Sequence, residues 1–309
     1  MNNLNGSKDG VPEPAHLTWV NIAIGLLFLL LDASLSIFFQ LGLSVSLLTA
    51  AARCVLQLTV MGFVLQRVFE TNSPWAVAGI TCLLILLGTI ETVVNKSKRR
   101  FQYMFPSVLL SMLSSAIPVS ILGTRFAMGY DPWWQPAAYI PVVGMLCGNT
   151  ISAIVVSTTS ILRDVKDNRD KVEMYLAFGG SRWEACKPIA TDALRLALTP
   201  TLNQMSVIGL ISIPGMMTGA ILGGSSVEQA ARLQMVIMFL ISAATALAAI
   251  MATGLACAIV VDEEQRIRDE RVSEGKAAIW VGRDKVAEAI KKGLGFPGKA
   301  RHRVENGST

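Results

Sequence analysis

The side chains able to do chemistry within the apolar stretches of this chain are few, and most of them are neutral. Met216 and Met217 stand side by side, with Met145 and Met205 in neighbouring apolar stretches. Thioether sulfur ligates soft cations such as Cu(I), and otherwise serves as flexible packing material. Asn149 beside Thr150, and Asn203 beside Gln204, can bond across helices or line a polar path. Asp32, Arg53 with Gln57, and Glu91 with Asn95 place charge near one edge of an apolar block. Charges there either pair to close the mouth of a path or anchor the chain at an interface.

Other chemistries are missing from the sequence. No GxxxxGK[ST] loop occurs, so the chain does not bind and hydrolyse ATP in that manner, and no HExxH or GxSxG supports a hydrolase. The two histidines, His16 and His302, lie outside the apolar blocks, so no His-based cage can form there and no resident metal or cofactor is expected. Five cysteines are scattered singly without a CxxC pair, which argues against a disulfide framework or a zinc site.

The elements that must position these residues are membrane spans. Of the 309 residues, 52% are apolar and 16% charged, where a soluble domain carries about 25% charged residues. The mean hydropathy is +0.50. The net charge of +5 is spread between the apolar blocks, which excludes a nucleic-acid surface and instead reports orientation in a bilayer. A spanning helix needs about 20 apolar residues. Seven segments meet or approach that length: Leu17–Phe38, Arg53–Val68, Trp75–Val94, Phe105–Phe126, Ala137–Leu162, Leu194–Leu222 and Leu233–Val261. The fold expected is all-α, a polytopic integral membrane protein of about seven helices. The more polar stretch Leu41–Ala52 is expected to lie along the interface before the second span. Residues 1–16 form a disordered lead-in, 17–262 the membrane domain, and 263–309 a charged tail.

Lys96, Lys98, Arg99 and Arg100 follow the third span, and Arg163, Lys166, Arg169, Lys171, Arg182 and Lys187 follow the fifth. The opposite loops offer only Arg67, Arg125 and Arg232. The positive-inside rule then puts the basic loops and the C-terminus in the cytosol and the N-terminus outside.

The cytosolic segment 163–193 carries the most local information. A short helix should stop at Gly179–Gly180, and Ser181 can cap a second helix with Glu184 at the capping-box spacing. Such an elbow suits a lever docking into a cytosolic partner. Within the spans, Gly144 and Gly148, Gly215 and Gly219, and Gly219 and Gly223 are spaced GxxxG, which allows close helix approach within the chain or across a dimer seam. Pro214 removes a helical hydrogen bond inside the sixth span, and marks 213–219 as either a gating element or a plain kink.

Glu173, Ala177, Gly179, Gly180 and Ser181 resemble the coupling-helix signature of ABC importer permeases, with Met174–Tyr175 in place of the usual Ala–Ala. Together with PVVGMLCGNTISA (141–153) and TPTLNQMSVIGLISIPGMMTGAILGG (199–224), the elbow is similar to the family of the bacterial iron-export permease FetB and the plant aluminium-sensitivity permeases. The resemblance covers about residues 17 to 265. It implies a permease subunit without its own ATPase site, paired with a separate cytosolic ABC ATPase that holds the ATP. Linked cargoes in that family are a metal ion or a nucleotide sugar. In this frame the subunit works as a homodimer in the lipid bilayer, with Asn149, Asn203, Pro214, Gly215, Met216 and Met217 along the path. The competing reading is an ion-gradient-driven secondary transporter or channel. It would call for carboxylates near the bilayer midplane and inverted repeats, and neither is seen.

Overall fold

The computed structural model describes residues 18–97, 99–260 and 272–274. The lead-in expected to be disordered, both histidines and nearly all of the charged tail lie outside the described residues. The helices are α1 (Trp19–Phe38), α2 (Ser44–Thr71), α3 (Pro74–Ile90), α4 (Met104–Leu122), α5 (Pro136–Asp167), α6 (Arg169–Ala177), α7 (Arg182–Val207), α8 (Gly215–Leu222) and α9 (Val227–Val260). Wider π-type turns extend α3 over Glu91–Lys96 and α4 over Gly123–Ala127. Six of these helices are long and apolar enough to cross a membrane; the pair α7 and α8 is not among them. The chain is thus an all-α integral membrane protein. Its described strands are confined to β1 (Arg99–Phe101) and β2 (Val272–Glu274), which pair antiparallel and tie part of the tail to the loop after α3.

Three sequence expectations change. The stretch 41–68 is not an interfacial helix followed by a span, because α2 runs unbroken from Ser44 to Thr71. The turn before it is set by Gln40 and Gly42, both at positive φ, and by the Leu43 N–H donating to the Ser36 hydroxyl at 3.1 Å. α2 holds no proline and passes through Gly62 without a break until Asn72 takes the left-handed conformation, so mixed polarity alone does not stop the helix. The elbow, expected to end at 193 before a span beginning at Leu194, is likewise not separate from it, since α7 continues from Arg182 to Val207 despite Pro188 and Pro200. Finally, the sixth span is not continuous from 194 to 222, because the chain leaves helical geometry between α7 and α8.

The chain divides into two compact units. The first holds residues 1–82, 120–143 and 203–240, and the second 83–119, 144–202 and 241–309. The second unit is packed through small side chains. Ala153 of α5, Ala197 of α7 and Ala249 of α9 meet in one cluster with Val156 and Leu194. Along α9 the residues Ala244, Ala248, Ala252 and Ala256 recur every four positions and are all buried. Lipid tails are as apolar as leucine, so helices in a bilayer gain by close van der Waals approach, which this alanine ladder permits. Gly88 of α3 does the same, because a Cβ there would come within 2.9 Å of the Met112 methyl and 3.1 Å of Ile151. Several polar side chains in this unit close on their own helix. Ser111 and Ser115 of α4 bond the carbonyls of Ser107 and Ser111 at 2.8 Å, and Thr89 bonds Ile85 at 2.8 Å. That removes free hydroxyls from an environment without water.

In the first unit, the Ser120 and Tyr139 hydroxyls share a hydrogen bond of 3.0 Å. Trp133 meets the same Tyr139 ring edge to face, with ring centres 5.6 Å apart. Arg125 pairs with Asp131 at 2.8 Å on the exposed loop between α4 and α5.

Candidate functional site

The elbow is built by local hydrogen bonding. α6 ends in a Schellman turn: Gly179 takes φ +83, its N–H donates to Leu176 at 3.0 Å, and the Gly180 N–H donates to Tyr175 at 3.0 Å. Only glycine enters that left-handed conformation without strain. Gly180 is glycine for a second reason, since a Cβ there would stand 2.8 Å from the Tyr175 carbonyl oxygen. The chain then caps α7. The Ser181 N–H and hydroxyl both donate to the Glu184 carboxylate, at 2.8 and 2.9 Å, while the Glu184 N–H donates back to the Ser181 hydroxyl at 3.3 Å. These bonds hold the Glu184 carboxyl below its usual range.

Glu173 pairs with Arg169 one turn earlier at 2.7 Å, with both side chains about half exposed. Ala177 is the last residue of α6 and is exposed. The inner face of α6 is anchored by buried Val172 and Leu176. Its outer face presents Met174, Tyr175 and Phe178, the last 86% exposed, followed by exposed Trp183 at the start of α7. The elbow is therefore a rigid knuckle with an apolar, aromatic exterior.

The break between α7 and α8 is the other irregular element. It begins at Val207, well before Pro214. Gly209 turns at φ +85, its N–H bonds the Ser212 carbonyl at 2.9 Å, and the Ile211 N–H bonds Val207 at 3.0 Å. Pro214 then takes an extended conformation and caps α8, where its missing N–H removes no helical bond. Pro214 and Met217 line a cavity of about 290 Å³ together with Gly209, Met205 and residues of α9. Non-helical backbone at membrane depth is tolerated where it lines such a space.

The other residues of the expected path are not gathered here. Asn149 lies in the second unit and donates to its own helix, at the Met145 carbonyl, 2.9 Å away. Asn203 and Gly215 are exposed, and Met216 is half-buried beside the cavity lining rather than in it. Of the charges expected at one mouth, Asp32 and Arg53 fall in the first unit, whereas Glu91 falls in the second and accepts a hydrogen bond from Asn95. A Cβ at Gly144, Gly148, Gly215 or Gly219 would meet nothing within 4 Å, and at Gly223 it would meet only α8 carbonyls. These glycines therefore serve no close packing among the described residues.

Gln234 of α9 is a functional candidate that the sequence reading passed over. It is 8% exposed, it lines the same cavity, and its Oε1 has no hydrogen-bond partner among the described residues. The signal was available as a lone amide inside an apolar span.

Long apolar helices, one helix broken beside a cavity and a capped elbow define a multi-pass α-helical membrane protein. The profile of the uncharacterised protein family UPF0014 matches residues 19–260, and the chain belongs to that family. It is 33% identical over 77% of its length to the UPF0014 membrane protein slr1647 of Synechocystis, covering 92% of that protein. It is 31% identical to the protein ALUMINUM SENSITIVE 3 of Arabidopsis thaliana, over 76% of this chain and 85% of that one. It is 25% identical to the probable iron export permease protein FetB of Escherichia coli, over 78% and 91%. No solved structure matches the chain.

Proposed function

We propose that this chain is the membrane subunit of a metal-ion exporter driven by a separate ATP-hydrolysing subunit, and that it works as a homodimer. The observation that carries the reading is the elbow. Two helices are locked at a fixed angle by a Schellman turn and a capping box, with Tyr175, Phe178 and Trp183 exposed on the outside. A rigid apolar knuckle of this kind fits a groove on a cytosolic partner, and α7 continues from it without interruption to the break beside the cavity. The basic residues gathered after the third and fifth spans, against Arg67, Arg125 and Arg232 in the opposite loops, support a cytosolic elbow under the positive-inside rule. The name of the Escherichia coli relative supports metal export as the task. The glycines at 144, 148, 215 and 219, without close neighbours among the described residues, support a second copy packed against them.

The test is co-purification in mild detergent, comparing the unmodified chain with Gly179→Pro. Proline fixes φ near −65° and cannot take the +83 found here. An ABC-type ATPase should accompany the unmodified protein and be lost from the variant. Transport that persists with every cytosolic ATPase removed would overturn the reading and favour an ion-coupled mechanism.

A further inference from the structure

The cavity beside the helix break has a composition that selects its ligand. Four of its lining side chains are thioethers, from Met205, Met217, Met235 and Met238, and its one polar side chain is Gln234. Among the described residues, no carboxylate, imidazole or thiol lines it. Met238 is buried and Met205 and Met217 are half-buried, whereas Met235 is more than half exposed.

Two properties of this lining act together. A buried amide oxygen without a partner is unfavourable, and only a hydrogen-bond donor or a cation relieves it. An alkyl chain filling the cavity would leave Gln234 Oε1 unsatisfied. Thioether sulfur is a soft, polarisable donor that favours Cu(I) and its congeners over hard divalent ions. Charge points the same way. Every donor is neutral, so a bound ion keeps its full charge in a low-dielectric site, and the desolvation penalty rises with the square of that charge. A monovalent ion is favoured over Fe(II) or Zn(II), which call for carboxylate or imidazole ligands. Among the described residues, no three His, Cys, Asp or Glu side chains are grouped to hold such an ion anywhere. The cavity is wider than a bare ion, but methionine has three rotatable side-chain bonds and can fold its sulfur inward.

We infer that the cavity binds a soft monovalent cation of the Cu(I) or Ag(I) type, held by the sulfurs of Met205, Met217 and Met238 with Gln234 Oε1 completing the shell. Binding itself does not depend on an ATPase. That the ion is cargo rests on the transport reading above.

The experiment uses the full chain purified in detergent and titrated anaerobically with Cu(I) against a chromophoric chelator, with Ag(I) as a second probe. Loss of even an outer-shell partner commonly weakens metal binding about 10- to 100-fold. Met217→Leu and Met238→Leu should each weaken it by at least about tenfold, because they remove donors outright. Met216→Leu, next in sequence but outside the lining, should leave affinity unchanged. Fe(II) and Zn(II) should not compete.

Leucine closely matches methionine in volume, so the variants should retain the parent's elution profile and helical dichroism. Should one fail to fold, X-ray absorption on the unmodified protein decides, with sulfur neighbours around bound copper expected. The inference is overturned by absent Cu(I) binding, by unchanged affinity in a variant combining Met205→Leu, Met217→Leu and Met238→Leu, by Fe(II) displacing Cu(I), or by copper neighbours that are only nitrogen or oxygen. An ATPase that fails to co-purify leaves this result standing, and failed Cu(I) binding leaves the co-purification result standing.

Discussion

The indole of Trp183, at the first turn of α7, lies over Gly254 of α9, 3.8 Å from where a β-carbon on that glycine would sit. The elbow is thereby seated on α9 as well as joined to α6. The available space admits a methyl and little more. Gly254→Ala should leave the thermal midpoint of the detergent-solubilised protein unchanged, whereas Gly254→Leu must displace the indole. Overpacking of that kind typically destabilises by about 1–3 kcal/mol. Thermal unfolding compared with ATPase co-purification checks the point: Leu should weaken both, and equal behaviour of the two variants would show that Trp183 is not seated.

Gly123 and Leu240 form a comparable contact in the first unit. A Cβ at Gly123 would fall directly on the Leu240 methyls. Gly123→Ala should lower the thermal midpoint on its own, and Leu240→Ala should lower it by leaving a void. The double variant should lose clearly less than the two losses added, because each change relieves the defect of the other. Strict additivity would mean that the helices shift apart.

The legible parts of this fold were those decided locally. The long spans could be read because about 20 apolar residues have no alternative but a helix in a bilayer. The elbow could be read because Gly179, Gly180, Ser181 and Glu184 carry their turn and cap chemistry within a few residues. What escaped was set by tertiary context. The start of α2 depends on the Ser36 hydroxyl reaching the Leu43 N–H, which polarity patterning does not report. The helix break was anchored in the sequence to Pro214, but Gly209 and the bond from its N–H to Ser212 open it earlier. Attention to GxxxG pairs also obscured the buried ladder from Ala244 to Ala256, and attention to charges obscured Gln234.

The capping box should make the elbow sensitive to acid. Glu184 is held below its usual range mainly by hydrogen bonds from Ser181, so its charged form is favoured by folding. The sign follows from linkage: the contribution is present above the unfolded carboxyl value and fades as pH falls through the lower folded value. Hydrogen exchange over the first turn of α7 should therefore quicken, relative to the rest of the helix, as pH drops below the ordinary glutamate range. Glu184→Gln should flatten that pH response, and Ser181→Ala should quicken exchange at neutral pH as well. A pH response unchanged in Glu184→Gln would place the sensitivity elsewhere.

The break between α7 and α8 makes opposite demands on its two special residues. Pro214 sits at the N-cap of α8, where it interrupts no bond, so Pro214→Ala should not restore a continuous helix. Gly209 turns the chain at φ +85 and donates to Ser212. A β-carbon in the left-handed region costs about 1–2 kcal/mol, so Gly209→Ala should destabilise the turn, and Gly209→Val should do so further. Spin labels at Asn203 and Thr218, on either side of the break, report the outcome as a distance distribution. Pro214→Ala should keep the parent's distance, while Gly209→Val should broaden or shift it. If Pro214→Ala instead moved the labels toward the spacing of an unbroken helix, about 1.5 Å per residue, the proline and not the glycine turn would be the origin of the break.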